Sequence, residues 1–276
     1  MHQFLILGGD PRQLYLTRRL KKAGQKALLY YDNSTPAFSL RDAMETSDII
    51  LCPVPFSKDG HTIFSDNHLE GLEIDTFLNH LTKGHTLFGG NIPPSVKAHC
   101  ESRRIPCHDF MQMETVACKN SAATAEGALA EAISLSPINL YKSRCLVLGW
   151  GRCARTLADR LKGLGTAVTV AARDDRQLAH ADCLGYDTVL LEDLTGDIDR
   201  FDFIFNTIPA MVLDSVLLEA AKPEAAIVDI ASAPGGVDFE TCRRLGIPAK
   251  LCPGLPGVYA PMSSAEILYE AVMDHL

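Results

Sequence analysis

Gly149-Trp150-Gly151-Arg152-Cys153-Ala154 holds the most telling combination of residue types and spacing in the chain. A glycine at 149 permits a tight turn, and one at 151 lets backbone approach a pyrophosphate. A small residue at 154 lets a following helix pack close to the preceding strand. The flanks supply both elements. Leu146-Val147-Leu148 reads as a buried strand, and Leu157, Leu161 and Leu164 recur on one helical face beyond the turn. The first N–H groups of such a helix, with its dipole, favour an anion. The segment is expected to hold a dinucleotide, with Gly149, Gly151, Arg152, Cys153 and Ala154 around its phosphates. A βα turn that merely packs is the competing reading.

The next strand, 166–172, ends in Arg173-Asp174, with Arg173 twenty-four residues past Gly149. An acidic residue at this strand end hydrogen-bonds a ribose 2′-hydroxyl, whereas an arginine accommodates a 2′-phosphate. Arg173 comes first, so NADP is expected, with NAD the alternative; a solvated loop arginine is the plainer reading. Asn206-Thr207-Ile208-Pro209 closes a later strand, and the ends of such strands border the ligand crevice. Asn206 and Thr207 are therefore expected to hydrogen-bond substrate or cofactor, with Pro209 fixing the loop. Ser232-Ala233-Pro234-Gly235-Gly236 and Pro253-Gly254-Leu255-Pro256-Gly257 follow two further strands, and at least one is expected to line the active site.

Near the start, Gly8-Gly9-Asp10-Pro11-Arg12-Gln13 leaves the first strand. Asp10 suits an N-cap and Pro11 the first helical position. Arg12 and Gln13 then stand at a helix N-terminus, where a guanidinium and free amides can hold a carboxylate. No acid–base residue is assigned. Glu114 and Glu126 are candidates, although a helix-start carboxylate beside the dipole explains Glu126 as well. His99-Cys100 and Cys107-His108 match no zinc spacing, so no metal is expected.

These residues need a scaffold. Strands at 4–7, 27–31, 48–53, 86–88 and 106–110 alternate with helices at 11–23, 74–81 and 94–103, the pattern of βαβ units on a parallel sheet. A small-residue helix, 122–134, is expected next, capped by Asn120 or Ser121. The alternation then resumes through strands at 203–207, 226–230 and 249–252, and a last helix covers 264–275. The expected architecture is α/β with two doubly wound domains. Residues 1–136 form a flavodoxin-like substrate domain, on which helix 263–276 packs back; residues 137–262 form a Rossmann NAD(P)-binding domain.

A net charge of −8 across 276 residues, with no basic run, argues against nucleic acid as a partner. Nine cysteines without a CxxC pair fit reduced thiols. The opening residues enter a strand at once, and no apolar run nears the ~20 residues that cross a bilayer. A cytoplasmic protein away from membranes is expected.

Five motifs spread through the chain resemble one family. They are Gly8-Gly9-Asp10…Arg12-Gln13, Gly149…Gly151-Arg152, Asn206-Thr207-Ile208-Pro209, Asp229-Ile230-Ala231-Ser232…Pro234-Gly235-Gly236…Asp238-Phe239 and Pro253-Gly254-Leu255-Pro256-Gly257…Ala260-Pro261. Together they resemble the dipicolinate synthase A-subunit. The resemblance implies a two-domain fold in the style of alanine and hydroxyacid dehydrogenases. It implies oxidation of dihydrodipicolinate to dipicolinate, pyridine-2,6-dicarboxylate, with NAD(P). It also implies a partner, a flavoprotein-like B-subunit, in the mother cell of a spore-forming bacterium. Ala233 and Met262 stand where the family commonly carries basic residues, which leaves more of the dicarboxylate to Arg12 and backbone donors. The expected substrate ligands are Arg12, Gln13, Asn206, Thr207 and Ser232, and a homo-oligomer is expected. The alternatives are a dehydrogenase of another amino or hydroxy acid and a non-catalytic, dinucleotide-binding regulatory subunit.

Overall fold

In the computed structural model, residues 2–31 and 39–276 are described. Phe4, Leu5, Ile6 and Leu7 are all buried, so strand β1 (Gln3–Leu7) carries no polar face. Such a strand needs cover on both sides, which a parallel sheet flanked by helices provides. The elements follow in alternation: α1 (Pro11–Lys22), β2 (Lys26–Tyr30), α2 (Leu40–Glu45), β3 (Ile49–Leu51), α3 (Ile74–His80), β4 (Thr86–Gly89), α4 (Pro94–Arg103) and β5 (Cys107–Asp109). Every pairing is parallel and the strand order is β2-β1-β3-β4-β5, the flavodoxin-like arrangement.

Helix α5 (Glu114–Leu135) leads to the second alternation. It comprises β6 (Arg144–Leu148), α6 (Arg152–Gly163), β7 (Ala167–Ala172), α7 (Asp175–Cys183), β8 (Asp187–Leu190), β9 (Phe203–Asn206), α8 (Ser215–Ala220), β10 (Ala226–Asp229), α9 (Phe239–Leu245) and β11 (Ala249–Leu251). Helices α10 (Leu255–Tyr259) and α11 (Pro261–Met273) end the chain. The second sheet runs β11-β10-β9-β6-β7-β8, all parallel. Counted from β6 as the unit's first strand, this is the Rossmann order 3-2-1-4-5-6.

Two compact units result: Met1–Lys119 with Ala260–Leu276, and Asn120–Tyr259. In the first, Ala265, Leu268, Ala271 and Val272 of α11 join Phe4, Ile6, Leu16 and Leu20 in one apolar cluster. Arg19 fastens α1 to α11, 2.8 Å from Glu266 and 3.9 Å from the Tyr269 ring centroid.

Three expectations need correction. The helix expected at 122–134 starts eight residues earlier, at Glu114, so Asn120 and Ser121 are interior residues and not caps. Nothing in 114–121 breaks a helix, and Asn120 instead accepts from Thr124 Oγ1 at 3.0 Å through its carbonyl. Glu126 is consequently mid-helix, and the dipole role passes to Glu114 in the first turn. The division between units falls at Lys119/Asn120, not after Ser136. The reason is packing: Ala125, Ala128 and Ala132 sit in the same core as Val147, Leu157 and Phe205. Finally, β5 stops at Asp109, whose carboxylate accepts from Met111 N at 3.0 Å and turns Phe110–Gln112 into a 3-10 helix. Burial alone would raise the Asp109 carboxyl, but Lys97 and the amides of Met111, Asn91 and Ile92 together hold it below its ordinary range.

Candidate dinucleotide-binding site

In the second sheet the strand order reverses between β6 and β9, where Leu148 pairs with Asn206. The carboxyl ends of these two strands therefore border the crevice in which doubly wound sheets bind ligands. Gly149 follows β6 with φ +96°, and a Cβ there would lie 2.6 Å from Thr207 Oγ1. No L side chain suits that position on either count. Gly151 is different. It is the N-cap of α6, with φ −79°, and a Cβ built on it meets no atom within 4 Å. The first bond of the helix runs from Arg155 N to the Gly151 carbonyl at 3.0 Å, and a helix start of this kind directs its leading amides outward. Open space at that position, beside outward amides, fits a pyrophosphate. Ala154 is fully buried in the unit's core, the close helix–strand packing expected of it.

Trp150 was not among the expected site residues, yet it is the best-anchored residue of the turn. It is 2 % exposed, and its Nε1 donates to Nδ1 of His180 at 2.8 Å. Arg155 Nε donates to its carbonyl at 3.1 Å. Hydrophobic pattern hides this role, because Trp150 lies outside the strand and helix periods on either side.

Across the crevice, Thr207 is half-buried and ties the two strand ends, donating from Oγ1 to the Leu148 carbonyl at 2.8 Å. Asn206, expected to face a ligand, turns inward instead. It is 0 % exposed; its Nδ2 donates to Asp229 Oδ1 at 2.9 Å and to the Ile208 carbonyl at 3.0 Å, and its Oδ1 accepts from Ile208 N. Asp229 is equally buried and accepts from Ala231 N at 3.0 Å and Gly236 N at 2.7 Å as well. The Gly235-Gly236 pair serves this latch. A Cβ on Gly236 would stand 2.4 Å from the Ala210 carbonyl, so here the glycine admits a neighbouring protein loop. Ser232 and Pro209 are exposed on the two loops so joined.

Arg173 is exposed just after β7. Asp174 caps α7 through Arg176 N at 2.8 Å and pairs with the Arg176 guanidinium at 3.1 Å. The Arg176 side chain, then its amide, hold the Asp174 carboxyl below its usual range. Asp174 is thus committed to the helix start, and Arg173 is left to the loop.

In the first unit, Asp10 caps α1 as expected, and Arg12 stands beside it. Arg12 is 7 % exposed, with Nε 2.9 Å from Asp10 Oδ1 and a further bond to the Val54 carbonyl. Strands β1 and β3, from which these loops issue, flank that sheet's own reversal of order. Gln13 is 2 % exposed and donates to the Leu7 carbonyl at 3.0 Å, which makes it a plug beneath the strand end and not an outward ligand.

A family model for the N-terminal domain of the dipicolinate synthase A-subunit matches residues 3–111, and an NAD(P)-binding model matches 137–242. The dipicolinate synthase A-subunit of Bacillus subtilis strain 168 is 30% identical over 95% of this chain and 92% of its own length. The chain belongs to the dipicolinate synthase A-subunit family. A crystal structure of the dipicolinate synthase A-subunit from Bacillus halodurans superposes with a TM-score of 0.89 at 26% identity, over 99% of this chain and 97% of that one. An L-alanine dehydrogenase shares the fold, with a TM-score of 0.65 at 11% identity over 98% and 88% of the two chains. This member of the family carries an NAD(P)-binding domain and has an oxidoreductase-like architecture. No helix among the described residues is long and apolar enough to cross a membrane.

Proposed function

We propose that this chain oxidises dihydrodipicolinate to dipicolinate with NADP, working beside a flavoprotein-like B-subunit in the cytoplasm of a spore-forming mother cell. The observation that carries the reading is the Gly149–Ala154 turn between strand and helix, in a chain alike over nearly its whole length to the dipicolinate synthase A-subunit. The change removes one hydride and one proton from the dihydropyridine ring, the proton passing to water, and yields the aromatic diacid. A bound nicotinamide supplies the hydride acceptor. Aromatisation drives the reaction forward, so the protein's task is chiefly to position the ring. Gly149, Gly151 and the amides of Arg152, Cys153 and Ala154 hold the phosphates, and Arg173 holds the 2′-phosphate. Thr207 and Pro209 shape the crevice wall, with Ser232 as the hydroxyl that meets a substrate carboxylate. Arg12 lies in the first unit, where Asp10 and the Val54 carbonyl already engage its guanidinium, and its role toward a carboxylate rests on the family resemblance alone. Gln13 and Asn206 are set aside as ligands, because their side chains are consumed within the fold. Asp229 is set aside as a base for the same reason.

The test is direct. Mixing the chain, NADP and freshly generated 4-hydroxytetrahydrodipicolinate, which loses water to give dihydrodipicolinate, should raise the absorbance at 340 nm. Binding of NADP without that rise, even when the B-subunit is present, would favour the regulatory alternative. The cofactor choice has its own test. Charge-assisted bonds contribute about 1.5–3 kcal/mol, so Arg173→Ala should weaken NADP by ~10–100-fold and leave NAD nearly unchanged. Equal losses for the two dinucleotides by calorimetry would remove Arg173 from the site.

A further inference from the structure

Trp150 is the sole tryptophan of the chain, set between two glycines in the turn that meets the phosphates. Glycines on both sides leave the turn's backbone unusually free, so something else must hold it. Gly149 N and the Trp150 carbonyl are each bonded, to the Ala171 carbonyl and Arg155 Nε, and the side-chain anchor is the indole. It is buried in the core of the second unit, edge-on to Tyr186 at 5.5 Å, and hydrogen-bonded to His180 on α7. An indole N–H only donates, and a buried one requires an acceptor. Nδ1 of His180 is that acceptor, at 2.8 Å. His180 itself is exposed, which places the acceptor at the outer end of an otherwise apolar contact.

We propose that His180 is a positioning residue for the dinucleotide turn: by accepting from Trp150 it fixes the backbone between Gly149 and Gly151, and so sets affinity for the pyrophosphate. The proposal rests on the reading of 149–154 as the dinucleotide site. His180 acts through Trp150, and its contribution is preorganisation: amides already in place bind an anion without first having to be ordered. The sequence places His180 in a helix remote from the turn, and its role arises only from the way α7 packs on β7 and β8, which brings its ring to the indole.

The experiment measures NADPH binding to the full chain by calorimetry. His180→Lys leaves only donors facing the indole and should weaken NADPH by about tenfold, the scale of one orphaned buried donor. Its added positive charge would by itself favour an anion, so a loss has the sign opposite to simple electrostatics. His180→Gln restores an acceptor and should recover affinity to within about threefold of the parent. In a Trp150→Phe background, His180→Lys should change affinity by less than about twofold, because the coupled partner is gone. Tryptophan emission of His180→Lys without NADPH should also shift, reporting the displaced indole directly. Parent-like affinity in His180→Lys, or an equal loss in the Trp150→Phe background, overturns the role. If Trp150→Phe does not fold, the contrast between glutamine and lysine at 180 decides alone. Gly151→Val separates the two levels. Retained NADPH binding there overturns the site, and this proposal with it; lost binding there beside parent-like His180→Lys overturns only the role of His180.

Discussion

Gly151→Val is expected to lose NADP by at least a hundredfold, or ~2.8 kcal/mol, while unfolding at the parent's temperature. The two halves of that expectation come from one observation. A Cβ at 151 meets no protein atom within 4 Å and the backbone there has φ −79°, so the fold accepts a side chain. On the proposed reading the space it fills is the one a pyrophosphate takes, beside the leading amides of α6. Gly149 could not serve for this test. Its positive φ and the 2.6 Å approach to Thr207 Oγ1 mean that any substitution damages the turn itself. Calorimetry with NADP, paired with a thermal melt, checks both halves. Parent-like binding by a folded Gly151→Val chain would move the dinucleotide elsewhere.

Asp229→Ala should destabilise the second unit by about 3–5 kcal/mol, the cost of stranding buried partners of a lost charge. The carboxylate is 0 % exposed and receives three bonds, from Asn206 Nδ2, Ala231 N and Gly236 N. Alanine removes every acceptor and replaces none. Asp229→Asn keeps one oxygen but turns an NH2 toward a donor, so its loss should be smaller yet clear. Urea titration followed through Trp150 reports on the unit that contains the latch. A change below about 1 kcal/mol would show that water takes over the abandoned donors.

The sequence carried the architecture further than the site. Strands such as 4–7 and 146–148 are apolar throughout, and the glycine turn lies between a strand and a helix, so both sheets and the turn itself were legible. Helix α2 was not, because six residues show too little periodicity; its signal was the Ser39/Asp42 capping box, with an amide–oxygen distance of 3.2 Å. The continuity of α5 was obscured by the polar run Cys118-Lys119-Asn120-Ser121, which reads as a cap when no partner is in view. Ser121 in fact lies 2.8 Å from Thr156 Oγ1 on α6. Side-chain direction was the harder problem. Asn206 and Gln13 stand at the right strand ends but point into the fold, and Asp229 bonds a residue twenty-three positions away. Those choices depend on which backbone groups the tertiary fold leaves wanting partners.

The first unit is discontinuous in the chain, and this bears on its assembly during synthesis. One face of its sheet is covered by α11, whose Ala265, Leu268, Ala271 and Val272 lie against Phe4 and Ile6. All of Asn120–Tyr259 is translated before that helix exists. The second unit can close its own core while the chain is still on the ribosome, whereas the first waits with apolar strand surface uncovered. Joining residues so distant in sequence makes this a slow, late step of folding. The exposure falls on the growing chain, at the stage where chaperones act.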